Sequence, residues 1–354
     1  MKVIVTIGPS SNNIDTLNKL QKLNVNNFRI NLSHCNKEQI SEYFDLFDKV
    51  NIIPDLDTQG AQARLLCKKD KLFFKKNENV TIFFDQEDYE KNSLEKDLLC
   101  LEKALFNKIF HGEEIRCDFK ELLLLTDSID KQNLRLKCKV KVGGELYQNR
   151  ALDFPNTFKF LPAITDFDKF VLLQGNKKGV NTVFLSFASS KEDVRNLRKI
   201  INKETKVISK IESRKGLKNL QEIIDVSDGI LIDRGDLSRE ISIGMIPFAV
   251  DTIIDHCIMK DKECFVATNI LDSMMENSIP SRAEISDIWN LLNKGISGFV
   301  LAAEVAIGNN PVETVAVLNH MINLFNSSKI SFVDLIDPNV SKNDLPEGPL
   351  KSWF

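Results

Sequence analysis

Polar and charged side chains gather where six predicted strands end. A polar side chain in the middle of a buried strand costs free energy unless it is paired, so their accumulation at one end points to a shared site. When parallel strands close into a barrel, the chemistry collects at their carboxyl ends. The residues concerned are Arg29, Asn31, Ser33, His34, Asp57, Thr58, Lys210, Glu212, Asp233, Arg234, Asp236, Thr268, Asn269 and Glu304.

Four residues of this set indicate metal-dependent chemistry on an anionic substrate. Lys210 and Glu212 are two positions apart on a predicted strand, so their side chains point to the same face. Glu212 and Asp236 offer two carboxylate ligands of the kind that Mg²⁺ or Mn²⁺ prefers. Arg29 has a planar fork suited to a phosphoryl or carboxylate group. The structural alternatives are an ion pair between Lys210 and Glu212, and one between Arg29 and a loop carboxylate.

Short apolar, β-branched runs alternate with helical-period segments from the first residue, which indicates parallel βα units. Ser190 with Asp193, and Ser281 with Glu284, form capping boxes at the starts of two connecting helices. Eight such units fit either a closed barrel or an open doubly wound sheet. No G-x-G-x-x-G turn is present, which favours an α/β fold of the (β/α)₈ TIM barrel class. The predicted strands are residues 3–7, 27–31, 52–57, 182–187, 206–212, 229–234, 263–269 and 298–303.

The βα alternation breaks after the third predicted strand. Residues 65–150 contain alternating apolar positions, as at 80–84 and 134–142, which are typical of half-buried antiparallel strands. They are predicted to form a small β-rich domain inserted in one βα loop, over the active-site face as a lid. The barrel then comprises residues 1–64 and 151–330. Residues 331–354 are a predicted C-terminal tail, whose Trp353 and Phe354 either fray or dock on the barrel or on a second subunit of a homodimer.

The composition excludes several classes of partner. The 354 residues carry 47 basic and 50 acidic side chains, a net charge of −3, and this balance gives no positive field for nucleic acid or an anionic membrane. The first residues, MKVIVTIGPSS, lack a secretory signal, which predicts a cytoplasmic location. Apolar runs are too short to span a bilayer. The 7 cysteines form no Cys-x-x-Cys pair and are predicted to be reduced thiols.

A series of ordered motifs resembles the pyruvate kinase family across nearly the whole chain. VIVTIGPSS, FRINLSH and DTQGAQAR are similar to the family's first three strands, and LPAITDFDK to the segment that re-enters its barrel. The remaining matches are ISKIES, DGILIDRGDLSREI, VATNILDSM, PSRAEISDIWN and VLAAEVAIGNNPVETV. The resemblance implies that the insertion is the family's mobile lid domain. It also implies a phosphoenolpyruvate- or pyruvate-like acid and a nucleotide as small-molecule substrates.

The same resemblance implies roles for individual residues near the transferring group. The family's divalent metal ligands match Glu212 and Asp236, and its phosphoryl-facing lysine matches Lys210. Its arginines that face the transferring phosphoryl group match Arg29 and Arg64. Phosphoryl transfer depends mainly on positioning and on cations around the transferring oxygens, which agrees with this set.

Further matches concern the substrate acid, the lid and a second cation. The threonine near the substrate carboxylate and the protonation face of the enolate matches Thr268. The backbone of Gly235 and Asp236 would receive that carboxylate, and Arg150 replaces a lid lysine. The family holds a monovalent cation, K⁺, with residues that match Asn31, Ser33, Asp57 and Thr58.

Several positions depart from the family's pattern, and they cluster in the site. Asp233 replaces an alanine and adds a carboxylate close to the small end of the substrate, while Ala302 removes a hydroxyl from the proton-delivery network. These changes favour an altered substrate or nucleotide contact. The chain stops about where the family's C-terminal regulatory domain would begin, so the family's sugar-phosphate regulation and tetramer contacts cannot be assumed. The other departing residues are Gln59, Ala61, Gln62, Ser238, Arg239, Asn269, Ile270, Ala303 and Val305.

The sequence leaves three functions open. The first is a divergent phosphotransferase that moves phosphate between an enolpyruvyl-type ester and a nucleotide with a divalent metal. The second is a metal-dependent lyase or aldolase that forms a pyruvate-type enolate at the same site. The third is a catalytically weak binding or regulatory protein. The presence of Lys210, Glu212 and Asp236 counts against this function.

Overall fold

Two compact units make up the described part of the chain. The computed structural model describes residues 1–60, 62–117, 122–148, 150–154 and 161–327. The first unit contains residues up to Gly60 and from Ala163 onward, and the second contains residues 61–162. The second unit is larger than the predicted insertion at both ends because the segments Ala63–Cys67 and Arg150–Asp153 pair with each other within its sheet. The predicted tail, residues 331–354, lies outside the described residues.

Eight parallel strands of the first unit close into a barrel in chain order, so the predicted (β/α)₈ barrel is confirmed. The third strand is shorter than predicted, at three residues. Strands that follow one another in this barrel are hydrogen-bonded neighbours, and the eighth pairs with the first. In order, the barrel strands are Lys2–Thr6, Asn27–Asn31, Asp55–Asp57, Thr182–Leu185, Lys206–Ile211, Gly229–Asp233, Glu263–Ala267 and Gly298–Leu301.

Helices connect these strands, and the first turns of several of them are capped by side chains. Both predicted capping boxes form, and two more occur at Asn36 with Gln39 and at Thr165 with Asp168. Such caps satisfy backbone amides that have no partner inside the helix. The helices are Ile14–Lys22, Lys37–Lys49, Asp166–Lys178, Lys191–Arg198, Arg214–Lys218, Leu220–Val226, Arg234–Glu240, Ile246–Met259, Arg282–Asn293, Ala303–Ala306 and Pro311–Asn326, with short 3₁₀ turns at Leu32–His34, Ile243–Met245 and Asp272–Met275.

The interior of the barrel is a packed apolar core rather than a pore. Because the middle of the barrel is filled in this way, polar side chains that point inward are confined to its ends. A second, larger apolar cluster lies between the strands and the surrounding helices. The inner core consists of Ile4, Phe184, Ile208, Leu231, Phe265, Ala267 and Val300.

The second unit is a β structure with a core of its own. Seven strands close into a mostly antiparallel sheet around a separate apolar cluster. The segments Lys71–Phe74 and Gly144–Tyr147 pair apart from it, and Gln86–Asn92 is an α-helix and Lys103–Lys108 a 3₁₀ helix. In spatial order the seven strands are Arg135–Val142, Asn79–Phe83, Leu98–Cys100, Ala63–Cys67, Arg150–Asp153, Glu114–Cys117 and Leu123–Asp130.

Two general features concern the described residues of both units. All seven cysteines belong to them, and none forms a disulfide. Among the helices that the structure describes, none is both long enough and apolar enough to cross a bilayer.

Candidate active site

Lys210 lies at the centre of the charged site. It occupies the fifth barrel strand, and its Nζ is 2.9 Å from Glu212 Oε1, 3.5 Å from Asp57 Oδ1 and 3.5 Å from Asp233 Oδ2. It also donates a hydrogen bond of 3.3 Å to Ser186 Oγ. The ion pair with Glu212 that was one structural alternative does form, but it is part of a larger arrangement. Three carboxylates from three different strand ends converge on one buried ammonium group.

Arg29 is the second buried cation of the site. Its Nε and Nη2 donate to Thr6 Oγ1 at 2.9 and 2.6 Å, and its Nη1 lies 3.0 Å from Asp57 Oδ2 in an ion contact without hydrogen-bond geometry. The guanidinium carbon is 5.5 Å from the centre of the Phe184 ring. Since Asp57 contacts both Arg29 and Lys210, it holds the two cations at the same end of the barrel.

The neighbouring charges and burial shift the pKa of Glu212, Asp233 and Lys210. Burial raises the pKa of Glu212, Lys210 lowers it, and Asp236 and Asp233 raise it again, so that it lies above its usual range. Burial also acts to raise the pKa of Asp233, but Lys210 and a hydrogen bond to the carboxylate outweigh burial and lower it. Burial lowers the pKa of Lys210, yet the surrounding carboxylates raise it by more. Lys210 is therefore held in its charged form.

Three carboxylates form a set that suits a divalent cation. Glu212, Asp233 and Asp236 each present one oxygen, and these three oxygens lie within 4.8 Å of one another. Glu212 Oε1 is fully buried and accepts no hydrogen bond of normal geometry among the described residues, although the nitrogen of Lys210 is 2.9 Å away. Hard oxygen donors in this number are what Mg²⁺ and Mn²⁺ bind in proteins. The residues present therefore fit such an ion.

Thr268 and Gly235 shape the side of the site next to Asp233. The Thr268 hydroxyl donates a hydrogen bond of 2.5 Å to Asp233 Oδ1. Thr268 has a φ of 74°, which is a strained conformation for a β-branched residue. A Cβ at Gly235 would come within 2.8 Å of Thr268 Cγ2, so this position has room for glycine only. The backbone of Gly235 and Asp236, in the first turn after the sixth strand, stays the predicted seat of the substrate carboxylate.

The residues predicted to hold a monovalent cation follow the second and third strands. Asn31 and Asp57 are register partners in these strands. Asn31 Oδ1 accepts a hydrogen bond of 3.0 Å from the Ser33 amide, and Thr58 Oγ1 accepts one of 3.0 Å from the Ser186 amide. Asn31 and Asp57 thus lie at one end of two paired strands, and Ser33 and Thr58 follow them closely in the chain. Their role in binding K⁺ stays a prediction.

Two predicted site residues, Arg64 and Arg150, belong to the second unit. The Arg64 guanidinium donates to Gln62 Oε1 at 2.9 Å, and the Arg64 amide donates to Glu102 at 2.8 Å. The guanidinium carbon of Arg150 is 5.5 Å from the centre of the Tyr147 ring. Their predicted roles towards a substrate, and the role of this unit as a lid, stay predictions.

Two other polar strand-end residues have structural partners. Glu304 is buried and accepts hydrogen bonds from the backbone amides of Ile270 and Ala302, at 3.1 and 2.8 Å. Arg234 donates to the carbonyl oxygens of Thr268 and Asn269. These contacts fix loops at the barrel end rather than adding charge to the cluster around Lys210.

Sequence reasoning missed residues of the first and fourth strands. Thr6 is the last residue of the first strand and accepts from Arg29, while Ser186 follows the fourth strand and contacts both Lys210 and Asp57. The Phe187 amide donates a hydrogen bond of 2.6 Å to Glu212 Oε2. The rule that selected the other strand ends would have found the two hydroxyl residues as well. The backbone amide carries no signal in the sequence.

The fold and the convergent strand ends define a class: a (β/α)₈ barrel with buried lysine, arginine and carboxylate groups at the carboxyl ends of its strands. The family model described as pyruvate kinase, barrel domain, matches residues 1–315. The chain belongs to the pyruvate kinase family.

Named relatives agree with this assignment. The chain is 33% identical to a pyruvate kinase of Staphylococcus saprophyticus over 90% of the chain and 56% of that protein. It is 34% identical to one of Thermotoga maritima, over 90% of the chain and 69% of the relative. For one of Methanocaldococcus jannaschii the identity is 32%, over 97% of the chain and 73% of the relative. The chain thus spans little more than half the length of the first of these relatives.

Proposed function

We propose that this protein is a divalent-metal-dependent phosphotransferase that moves a phosphoryl group between an enolpyruvyl phosphate and a nucleoside diphosphate. One observation carries the proposal. The buried ammonium group of Lys210 touches Asp57, Glu212 and Asp233 beside a set of carboxylate oxygens that can hold a metal ion. The relatives are pyruvate kinases, and this arrangement offers the cations and the metal ligands that such a transfer uses.

The two buried cations are proposed to position and neutralise the transferring group. Lys210 and Arg29 are both fixed by Asp57, so they need no reorganisation when negative charge develops on the phosphoryl oxygens. Buried positive charge is worth more than charge in water because the surroundings screen it weakly. Arg64 is the proposed third cation, by its match to the family's second arginine.

Glu212 and Asp236 are the proposed protein ligands of Mg²⁺ or Mn²⁺. When bound, such an ion supplies Lewis-acid stabilisation to oxygens of the phosphoryl group and of the enolate that departs. Lys210, by its contact with Glu212, orients one of these ligands. K⁺ is the proposed occupant of the Asn31 and Asp57 end of the second and third strands, and it would share Asp57 with the two cations.

The substrate is proposed to differ from ordinary phosphoenolpyruvate at its small end. Asp233 adds a carboxylate where the family's motif has an alanine, and this carboxylate is hydrogen-bonded to Thr268. An added negative charge at this place disfavours a second anionic group nearby. An acid with a smaller or less charged end therefore suits the site better.

A lyase or aldolase that forms a pyruvate-type enolate is the second candidate. The observation in its favour is the hydrogen bond between the Thr268 hydroxyl and Asp233, together with the missing hydroxyl at Ala302. These changes affect proton handling more than the metal ligands. A catalytically weak binding protein remains the third candidate.

Replacement of Lys210 by Met tests the phosphotransferase directly. Removal of a fixed cation from the transferring oxygens should lower phosphoryl transfer from phosphoenolpyruvate to ADP by at least about 100-fold. Transfer is measured by coupling the pyruvate formed to a dehydrogenase, with Mg²⁺ and K⁺ present. Lys215→Met, on the helix Arg214–Lys218, is the matched control and should retain the wild-type rate. If the Lys210→Met variant turned over as fast as the wild type, the proposed mechanism of phosphoryl transfer would be wrong.

Ligand-induced thermal stabilisation separates the three candidates, because a ligand that binds the folded state raises its melting temperature. Stabilisation by ADP and by phosphoenolpyruvate with Mg²⁺ supports the phosphotransferase. Stabilisation by pyruvate with Mg²⁺, without an effect of the nucleotide, supports the lyase.

A further inference from the structure

Asp233 is the residue of the site that departs most from the family's pattern. It ends the sixth barrel strand, and its side chain lies beside those of Lys210 and Glu212. Its Oδ1 accepts from Thr268 Oγ1 at 2.5 Å, and its Oδ2 lies 3.5 Å from Lys210 Nζ. A hydrogen bond on one oxygen fixes the orientation of the whole carboxylate. The residue is therefore held in place rather than free to turn into solvent.

The carboxylate oxygens lie close to the spacing of a coordination sphere. Neighbouring ligand oxygens around a six-coordinate Mg²⁺ or Mn²⁺ ion are about 3 Å apart, and opposite ones about 4 Å apart. Glu212, Asp233 and Asp236 each present an oxygen within 4.8 Å of the other two. Small side-chain rotations would bring all three to one ion.

Burial and charge balance also favour a divalent cation at these three carboxylates. Glu212 Oε1 is completely buried, and its contact with Lys210 Nζ at 2.9 Å lacks normal hydrogen-bond geometry. The cluster sets four carboxylates, those of Asp57, Glu212, Asp233 and Asp236, against the three cations Arg29, Lys210 and Arg239. Buried charge is costly unless it is compensated. One bound divalent cation would turn the negative excess into a net positive charge that favours an anionic substrate.

We propose that Asp233 is a third carboxylate ligand of the divalent cation, beside Glu212 and Asp236. This inference rests on the proposed metal site. It implies that the protein binds the ion without substrate, and that about three of six coordination positions remain for water or substrate oxygens. A substrate then binds the metal through its phosphoryl oxygens. Because three positions are taken by protein carboxylates, less room remains for a substrate carboxylate that would chelate the ion.

Binding of Mn²⁺ to the full chain without substrate tests the proposal. Free Mn²⁺ is measured by electron paramagnetic resonance during titration of the wild type, Asp233→Ala and Asp233→Asn. Loss of a carboxylate ligand should weaken binding at least about 10-fold in both variants. Asp251→Asn removes an acid on the helix Ile246–Met259 and is the charge control, for which the wild-type affinity is expected. The Asn variant can keep the hydrogen bond to Thr268, so it decides the result if the Ala variant fails to fold.

Counting the water ligands separates coordination from a mere effect of charge. Pulsed electron paramagnetic resonance in D₂O should show about three exchangeable waters on the ion in the wild type and about four in Asp233→Ala. Weaker binding with an unchanged number of waters would overturn the proposal, since Asp233 would then act only through its charge. Unchanged affinity in both variants would overturn it too, while the metal site itself would stand. If the wild type bound no Mn²⁺, both the third ligand and the proposed metal site would be contradicted.

Discussion

Two buried acids at the two ends of the third barrel strand differ in their partners. Asp57 contacts the cations Arg29 and Lys210. Asp55, at the other end, accepts a hydrogen bond of 2.6 Å from the neutral Asn27 amide. Burial raises the pKa of Asp55 to about 7, although hydrogen bonds and more distant cations act against it. Burial without a cation in direct contact therefore favours the protonated form of Asp55.

Replacement of Asp55 by Asn should therefore change how stability depends on pH. Because the pKa is higher in the folded than in the unfolded state, the folded state binds more protons between about pH 4 and pH 7. The contribution of Asp55 to stability is lost as the pH rises through this range, and the loss is at most about 4 kcal/mol. Urea denaturation should show Asp55→Asn to be more stable than the wild type at pH 8, with a smaller difference at pH 4.

Asp45→Asn, an exposed acid on the helix Lys37–Lys49, is the control and should have the same small effect at both pH values. A destabilised Asp55→Asn variant at pH 8 would contradict the raised pKa. So would an equal difference from the wild type at the two pH values.

At the scale of residues, charged side chains were easier to predict than their partners. Lys210 and Glu212 could be placed together because strand periodicity fixes which side chains share a face. Asp233 was interpreted as a substrate contact. Its closeness to Glu212 and Asp236 could not be predicted, because these distances depend on how two strands and a following turn pack. Ser186 was overlooked, although the rule that selected the other strand ends applies to it as well.

The turn after the seventh barrel strand is held in a strained conformation by a neighbouring element. Thr268 and Asn269 have φ values of 74° and 55°. Arg234, at the start of the helix Arg234–Glu240, donates hydrogen bonds of 2.8 Å to the Thr268 carbonyl and 3.1 Å to the Asn269 carbonyl. Asp287 accepts from the same guanidinium at 2.6 Å. This clamp holds the turn from which the Thr268 hydroxyl donates to Asp233, so it positions Thr268 against Asp233.

Replacement of Arg234 by Lys should loosen this turn. A lysine cannot reproduce the fork of donors, so carbonyl oxygens lose their partners and the free energy of unfolding should fall by about 1–3 kcal/mol. Amide hydrogen exchange at Asn269 and Ile270 should become faster. Arg195→Lys, in an exposed pair with Glu192, is the control and should change stability by less than about 0.5 kcal/mol. Unchanged exchange at the turn would show that Arg234 does not hold it.

Element types followed from the sequence, but their limits did not. Apolar runs and capping boxes predicted the eight strands and the starts of two helices. The third strand is limited to Asp55–Asp57, although the apolar run begins at residue 52. The second unit begins and ends outside residues 65–150 because Ala63 and Leu152 pair across its sheet. Such pairing joins residues far apart in the chain, and no local pattern reveals it.

At the scale of the whole molecule, two separate cores serve different tasks. The barrel holds Lys210, Arg29 and the three clustered carboxylates in one unit, so the proposed metal site needs no residue of the other unit. The second unit has its own closed sheet and apolar core, and contains Arg64 and Arg150. The break in the βα alternation predicted an inserted domain, whereas composition and net charge could only exclude classes of partner.

The most direct test of this account is the position of a metal ion in crystals of the full chain grown with Mn²⁺. An anomalous difference map should show one strong peak between about 2.0 and 2.3 Å from carboxylate oxygens of both Glu212 and Asp236, with Lys210 alongside. A map with no peak at these residues, or with Glu212 and Asp236 turned away from each other, would contradict the account.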